Sequence, residues 1–79
     1  GYTSQARVLR NAGLMEMLMK LDPRDATTFL PASNAAQRLL SEAEMGELFK
    51  AIALTRDIDA DTLSGFARGD RAHRLLSDA

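Results

Sequence analysis

The side chains with the clearest capacity for chemistry are one histidine and a group of glutamates. His73 is the single histidine, and Arg71 and Arg74 stand beside it in a chain without cysteine. Because a zinc site needs three or four ligands at suitable spacing, the sequence does not predict a metal here. We interpret His73 as a surface residue of a basic C-terminal segment. A general-base role is the alternative, although the sequence names no partner to position it.

Three glutamates, Glu42, Glu44 and Glu47, fall close together where a helix is predicted to begin. They could form a paired-carboxylate site, but acidic side chains are favoured near the positive end of a helix dipole, and we prefer that interpretation. Ser41 and Glu44 have the spacing of a capping box, in which each side chain accepts a hydrogen bond from the other residue's backbone N–H. A helix is therefore predicted to start at Ser41.

Short catalytic and binding motifs give little support for chemistry within the chain itself. Arg68-Gly69-Asp70 spells an adhesion tripeptide, but a glycine turn followed by an aspartate helix cap explains it sufficiently. There is no Gly-x-Gly-x-x-Gly or other phosphate-binding loop. Neither a Ser/His/Asp set nor a Cys/His pair can be assembled. From these residues alone, the chain is not predicted to be an enzyme.

The composition bounds the kind of protein. The 79 residues give room for one small domain, and a hydrophobic content of 46% argues against wholesale disorder. The net charge of -1 gives no support for a nucleic-acid partner, and no apolar run approaches the roughly 18 residues of a membrane span. The absence of cysteine fits a reducing cytosol. We expect neither a nucleic-acid nor a membrane partner, and the composition leaves the compartment open.

Helical spacing and capping signals predict a mainly α fold of three to five helices. A first helix should cover about 5–20, behind Thr3 or Ser4 as its N-cap. Asp22-Pro23 should end it and open a short helix over 23–30, which Pro31 closes. The remaining expectations are a third helix from Ser33 or Asn34 to residue 40, a fourth element from Ser41, a loop over 56–61, and a last turn of helix capped by Asp70.

The first helix has an unusually wide apolar face. One row follows helical spacing, and a second row lies beside it; the two rows are Val8, Ala12, Met15 and Met19, and Leu14, Leu18 and Leu21. Such a face is too wide for a helix lying on one small core, so it indicates burial on two sides, within this chain or against a missing neighbour. Methionine adapts to irregular partners. The face over 8–21 therefore predicts a contact surface, with a homodimer among its possible uses.

The apolar block over 48–54 can be interpreted in two ways. Met45, Leu48, Phe49 and Ile52 match helical spacing, but a short apolar run also fits a buried strand, and periodicity alone does not separate the two.

Three stretches of the chain are similar to the C-terminal part of one protein family. They are Gly1-Tyr2-Thr3-Ser4-Gln5-Ala6-x-x-Leu9, Met45-Gly46-x-Leu48-Phe49-Lys50-x-x-Ala53-Leu54, and Gly65-Phe66-x-x-Gly69-Asp70-Arg71-x-His73-x-Leu75. Together they span almost the whole chain, and their spacing resembles that of the MidA-like class I S-adenosylmethionine-dependent methyltransferases. Val8 departs from the pattern, because the family often has phenylalanine there.

The resemblance implies that residues 1–79 are a single C-terminal helical segment of a bacterial, cytoplasmic enzyme whose family has mitochondrial relatives. The start at Gly1 rather than methionine fits a piece of a longer chain. In the parent, residues 1–5 would leave a late strand, 6–44 would be a helical insertion, 45–55 the last core element with 48–54 as its strand, and 56–79 a tail. The segment would complete the sheet and wall the acceptor cleft.

The implied reaction is methyl transfer from S-adenosylmethionine to a protein, with arginine as the acceptor. The methyl donor would lie in the Rossmann-like half of the parent, so this segment alone is expected to be inactive, to bind no cofactor and to hold no catalytic or metal-binding residue. Its partners would be the rest of the methyltransferase chain and the protein substrate. Thr3, Ser4 and Gln5 are the expected substrate-side residues. The alternative is an autonomous helical module for protein interaction or dimerisation.

Overall fold

The computed structural model describes the backbone of residues 2–77 and the side chains of residues 4–77. Five helices follow one another: α1 is Tyr2–Lys20, α2 is Ala26–Leu39, α3 is Glu42–Arg56, α4 is Ala60–Ala67 and α5 is Asp70–Ser77. Residues 2–77 contain no strand. The prediction of a mainly α fold with three to five helices is confirmed.

Helix α3 begins with the capping box that the sequence predicts. The Ser41 hydroxyl accepts from the Glu44 backbone N–H at 3.1 Å, and the Glu44 carboxylate accepts from the Ser41 backbone N–H at 2.9 Å. The helix then continues without a break to Arg56, and Asp57 ends it in the left-handed conformation with φ 53°. Residues 48–54 lie inside this helix, so the described chain adopts the helical alternative and not the strand.

Two short helices were expected between 23 and 40, and that expectation is wrong. The structure has one helix, α2, with Pro31 inside it. Proline in a helix interior removes one hydrogen bond, at a cost of about 3 kcal/mol. The carbonyl that loses its donor belongs to Thr27, which is exposed and can be solvated. Phe29, Ser33 and Ala36 are buried on one face on both sides of Pro31, so packing holds the two halves together.

The start of α2 also differs from the prediction. Pro23 lies in a turn before the helix and not at its first position. The Asp22 side chain accepts from the Arg24 backbone N–H at 3.0 Å, and the Asp25 backbone N–H donates to the Asp22 carbonyl at 3.0 Å. Because these bonds close a turn over 22–25, the helix is delayed to Ala26.

The polar stretch after α3 is shorter than the predicted loop over 56–61. Asp59 accepts from the Thr62 backbone N–H at 2.8 Å and starts α4 at Ala60. Leu63, which follows the predicted loop, belongs to this helix and is buried. Asp70 is the first residue of α5, which agrees with the predicted final helix to within one residue.

One core joins all five helices, and α3 runs through its centre. Helix α3 packs against α1, α4 and α5, while α2 packs against α1 and α4. Most of the core is aliphatic, with two phenylalanines and one methionine fully buried; its largest members are Leu18, Phe29, Met45, Leu48, Phe49, Ile52 and Leu63. Among the described residues, no buried side-chain nitrogen or oxygen lacks a hydrogen-bond partner.

Arginine side chains connect helices that are distant in sequence. Arg56, at the end of α3, donates to the carbonyls of Lys20 at 3.2 Å and Leu21 at 3.0 Å, which α1 leaves free at its C-terminus. Arg74 of α5 donates to the Glu42 carboxylate at 2.9 Å, at the first turn of α3. Since both contacts involve a helix end, they fix where the helices start and stop relative to one another.

Candidate interaction site

The N-terminal half of α1 extends beyond the body of the protein. Every residue from 4 to 10 is exposed, including Val8 at 65% and Leu9 at 74% of their maximal area. The body begins at Asn11, which is only 5% exposed. At 1.5 Å per residue, the exposed part is about 10 Å long. Two large apolar side chains thus lie on a projecting helix that no described element covers.

Asn11 anchors this projection. Its side-chain amide donates to both oxygens of Glu44, at 3.1 and 3.2 Å, and its Oδ1 accepts from Arg10 at 3.0 and 3.1 Å. Glu44 is also the capping residue of α3. The direction in which the projection leaves the body is therefore set by the start of α3.

The apolar rows of α1 differ in burial. Leu18 is fully buried, and Leu14 packs against the core, as expected for the row that faces α2 and α3. In the other row Met15 and Met19 are half-buried, whereas Val8 and Ala12 are exposed. The predicted burial on the second side is thus met only in part, because Met15 and Met19 pack against the core whereas Val8 and Ala12 stay uncovered in the described chain. We call the row of Val8, Ala12, Met15 and Met19 the α1 seam.

Ser4 and Gln5, which were expected to face the substrate, lie beside the α1 seam. Both are exposed, and with Val8 and Leu9 they line an open depression of about 430 Å³. They belong to the first turns of α1, so in this structure they do not follow the end of a strand. The side chain of Thr3 lies outside the described residues.

Two of the three glutamates, Glu42 and Glu44, have structural partners of their own and do not form a shared acid–base site. The hydrogen bond from Arg74 holds the pKa of Glu42 below its ordinary value, with further attraction from Arg71. The Ser41 backbone N–H, followed by Asn11, lowers the pKa of Glu44. Because each of these two carboxylates is stabilised as an anion by its own partners, neither is prepared to share a proton. Glu47 is exposed.

His73 and the Arg68-Gly69-Asp70 tripeptide occupy ordinary structural positions in the described chain. His73 is exposed on α5, and no group of three His, Asp or Glu side chains in residues 4–77 could hold a metal ion. Arg68 and Gly69 both have positive φ, 63° and 91°, and form the turn between α4 and α5. The tripeptide with Asp70 is thus a helix connection, in which glycine permits the backbone conformation.

A second exposed apolar position was not predicted from the sequence. Leu54 is 85% exposed on the last turn of α3, beside a depression of about 320 Å³ that Ile58 and Leu76 also line. The sequence placed Leu54 in a continuous apolar block, and only the helical phase of α3 separates it from its buried neighbours. Leu9 was missed for the same reason, because it lies off the predicted rows.

Comparison of the chain with known proteins identifies no relative. The sequence matches no protein-family model, and the searches find no curated protein and no solved structure with significant similarity. Within residues 2–77 no helix combines the length and apolarity that crossing a bilayer requires.

Proposed function

We propose that this chain is the C-terminal part of a MidA-like, S-adenosylmethionine-dependent protein methyltransferase that modifies arginine. In this role the five helices wall the cleft that receives the acceptor protein. The observation that carries the proposal is the exposure of residues 4–9. They belong to the first of the three stretches that resemble the family, and they contribute no side chain to the core of this unit.

In the other two stretches the fold explains several of the residue types. Met45, Leu48 and Phe49 of the second stretch are buried in the core. In the third stretch Gly69 takes a positive φ, and Arg71 donates to the Gln37 carbonyl. By contrast, packing within the unit gives no reason for the pattern at residues 4–9. We infer that this segment contacts something outside the unit, either the rest of the enzyme or its acceptor.

The methyl donor has no assigned residue in this chain. In doubly wound folds such cofactors bind at the carboxyl ends of parallel strands, next to a glycine-rich turn, and residues 2–77 contain no strand. The proposal places S-adenosylmethionine in the remainder of the enzyme, where it supplies the methyl group. What this chain contributes is position: Ser4 and Gln5 would hold the acceptor so that its nucleophile lies in line with the sulfonium. Residues 48–54 are helical in α3, so we do not assign them to a sheet of the enzyme.

The test is methyl transfer by the longer gene product that contains this chain. With tritiated S-adenosylmethionine and an arginine-bearing acceptor, we expect activity in the longer protein. Replacing Ser4 and Gln5 by alanine should raise the KM for the acceptor roughly tenfold, with donor affinity unchanged, because the lost contacts are on the acceptor side. Thr27→Ala, an exposed change on α2, is the matched control. A donor-binding protein whose acceptor KM is the same in all three forms would refute the assigned role of Ser4 and Gln5.

A second candidate function is an autonomous helical module for protein interaction. The observation that favours it is the closed core, in which Phe29 and Phe49 are 0% exposed without help from another chain. Chemical unfolding of the 79-residue chain distinguishes this case. A single cooperative transition with loss of all helical signal supports a module that folds alone, and a broad, non-cooperative loss supports a part that needs the rest of an enzyme.

A further inference from the structure

We propose that helix α5 opens as a unit while α1 to α4 stay folded, and that backbone strain at Arg68 favours this opening. The open form uncovers the surface of α3 and α4 against which α5 packs. The inference concerns the conformational states of this chain and does not rest on the methyltransferase assignment. Its support comes from the backbone at Arg68, the short length and exposed polar contacts of α5, and the open depressions beside it.

Arg68 has a backbone conformation that almost only glycine adopts. Its φ is 63° and its ψ is 156°, directly after the last residue of α4. Such a conformation is strained for any residue with a Cβ, and it persists only where the surrounding structure imposes it. On one side the Arg68 backbone N–H donates to the Ser64 carbonyl at 2.9 Å, and on the other side the packed position of α5 fixes the chain. Release of α5 therefore relieves the strain.

Helix α5 depends on its neighbours for its helical conformation. It has eight residues, whereas an isolated helix in water needs roughly 12–15. Its buried residues are Ala72 and Leu76, and alanine offers little apolar area. Because so few side chains hold α5 on the core, its detachment should require much less free energy than unfolding of the whole chain.

The polar contacts of α5 lie at the surface. Arg74 donates to the Glu42 carboxylate at 2.9 Å, and both side chains are more than half exposed. Arg71 donates to the Gln37 carbonyl and lies 3.9 Å from the same carboxylate. Exposed ion pairs contribute little to stability, since water replaces either partner readily. These contacts direct α5 to its place without locking it there.

Open depressions border α5 beside both of its neighbouring helices. One of about 610 Å³ is lined by Arg74, Leu75 and residues of the first turns of α3. Two others, of about 320 and 330 Å³, are lined by Leu76 together with Ile58 and Ser64, respectively. A well-packed interior leaves few such spaces. The covering of α3 and α4 by α5 is therefore loose.

Native-state amide exchange of the unmodified chain tests the opening. After correction for intrinsic rates, the amides of residues 73–76 in α5 should exchange at least about tenfold faster than those of Phe49 and Ile52 in α3. Their exchange should also depend less on urea, because a partial opening exposes less surface than complete unfolding. Equal exchange and equal urea dependence in α5 and α3 would overturn the proposal, since α5 would then open only when the whole chain unfolds.

The variants Arg68→Gly and Arg68→Ala separate backbone strain from loss of the side chain. Glycine relieves the strain of the closed form, and its greater freedom in the open form offsets part of the gain, so exchange in α5 should slow by about fivefold. Alanine keeps a Cβ, so its exchange should stay within about twofold of the parent. Fraying of the far end of α5 would not relieve Arg68 and predicts no effect of glycine. Unchanged exchange in Arg68→Gly, or equal slowing in both variants, would overturn the role of Arg68.

Thiol labelling supplies a second measurement, because the chain contains no cysteine. Ala72→Cys in α5 and Ser33→Cys in α2 each place a thiol at a position that is 0% exposed. Circular dichroism first establishes that both variants keep the parent's helical signal. A thiol reagent should then label Ala72→Cys at least about tenfold faster than Ser33→Cys. The added sulfur could itself loosen α5, so Arg68→Gly is combined with Ala72→Cys and should slow its labelling about fivefold. Equal labelling of the two thiols, or no slowing by Arg68→Gly, would contradict the proposal.

Discussion

At the scale of single residues, Glu44 connects the start of α3 with α1. It caps α3 through Ser41, and it accepts from Asn11, which lies 33 positions earlier in the chain. The capping box could be predicted because its two members are three residues apart. The bond to Asn11 could not, because nothing local in the sequence indicates which distant carboxylate an asparagine will meet.

Loss of the Ser41 hydroxyl should weaken the start of α3. We expect Ser41→Ala to lower the free energy of unfolding by about 1 kcal/mol, the usual effect of removing a helix cap. Ser4→Ala is the control, since Ser4 is exposed on α1 and has no comparable role in capping. Urea unfolding followed by circular dichroism measures both. Equal midpoints for the two variants would mean that the cap contributes nothing.

Stability should fall on acidification because of the same residues. The pKa values of Glu42, Glu44 and Asp59 are all below their ordinary values in the folded chain, since each carboxylate accepts hydrogen bonds. Their contribution is fully present above the ordinary carboxyl pKa of about 4, and it is lost as the pH falls through the lowered folded values. Urea midpoints should therefore hold steady down to about pH 5 and fall as the pH drops below about 4.

The variant Glu44→Gln measures how much Glu44 contributes to the pH dependence of the unfolding free energy. Glutamine keeps an acceptor but cannot titrate, so the variant should be less stable at neutral pH and should lose less stability on acidification. Glu47→Gln, which removes an exposed carboxylate of the same helix, is the control for the loss of one negative charge. Parallel pH curves for the parent and Glu44→Gln would contradict the assignment.

At the scale of helices, local sequence signals predict where a helix starts better than they predict whether it continues without a break. The start of α3 was recognised because the cap at Ser41 acts within a few residues, and the start of α5 was placed to within one residue at Asp70. Pro31 was misread as a helix end, because proline is a local signal whereas the burial of Phe29, Ser33 and Ala36 on one face is a property of the folded chain. Helix α4 was missed because Asp57, Asp59 and Asp61 gave the segment a polar character, although Asp59 caps a helix whose Leu63 is buried.

The end of α1 depends on Arg56, which the sequence did not single out. Arg56→Met removes the hydrogen bonds to the carbonyls of Lys20 and Leu21 while keeping much of the side-chain volume. We expect a loss of about 1–2 kcal/mol in unfolding free energy. Amide exchange should become faster near the C-terminus of α1. Arg38→Met, an exposed arginine of α2, is the matched control and should change neither measurement.

At the scale of the whole molecule, the core explains why an apolar block of α3 is helical. Phe49 is fully buried, whereas Leu54, five residues later, is 85% exposed. This contrast follows the turn of a helix packed between α1, α4 and α5. It also explains why periodicity could not decide between helix and strand, since the choice depends on which surfaces surround the block.

Substitutions in α3 should reproduce this contrast. Phe49→Ala is expected to cost about 3–5 kcal/mol, which is a large part of the roughly 4–12 kcal/mol available to a chain of this length. Leu54→Ala should change stability by less than about 0.5 kcal/mol. Urea unfolding gives both values, and pulse proteolysis can rank them if Phe49→Ala is largely unfolded. Similar losses at both positions would be inconsistent with the helical placement of α3.

Calorimetric titration with S-adenosylmethionine tests the central claim, that these helices are part of a methyltransferase whose donor site lies elsewhere in the protein. The 79-residue chain and the longer protein that the proposal implies are titrated side by side under the same conditions. We expect saturable binding, close to one donor per chain, in the longer protein and no heat of binding in the 79-residue chain. Saturable binding by the 79-residue chain alone, or none by the longer protein, would contradict the proposal.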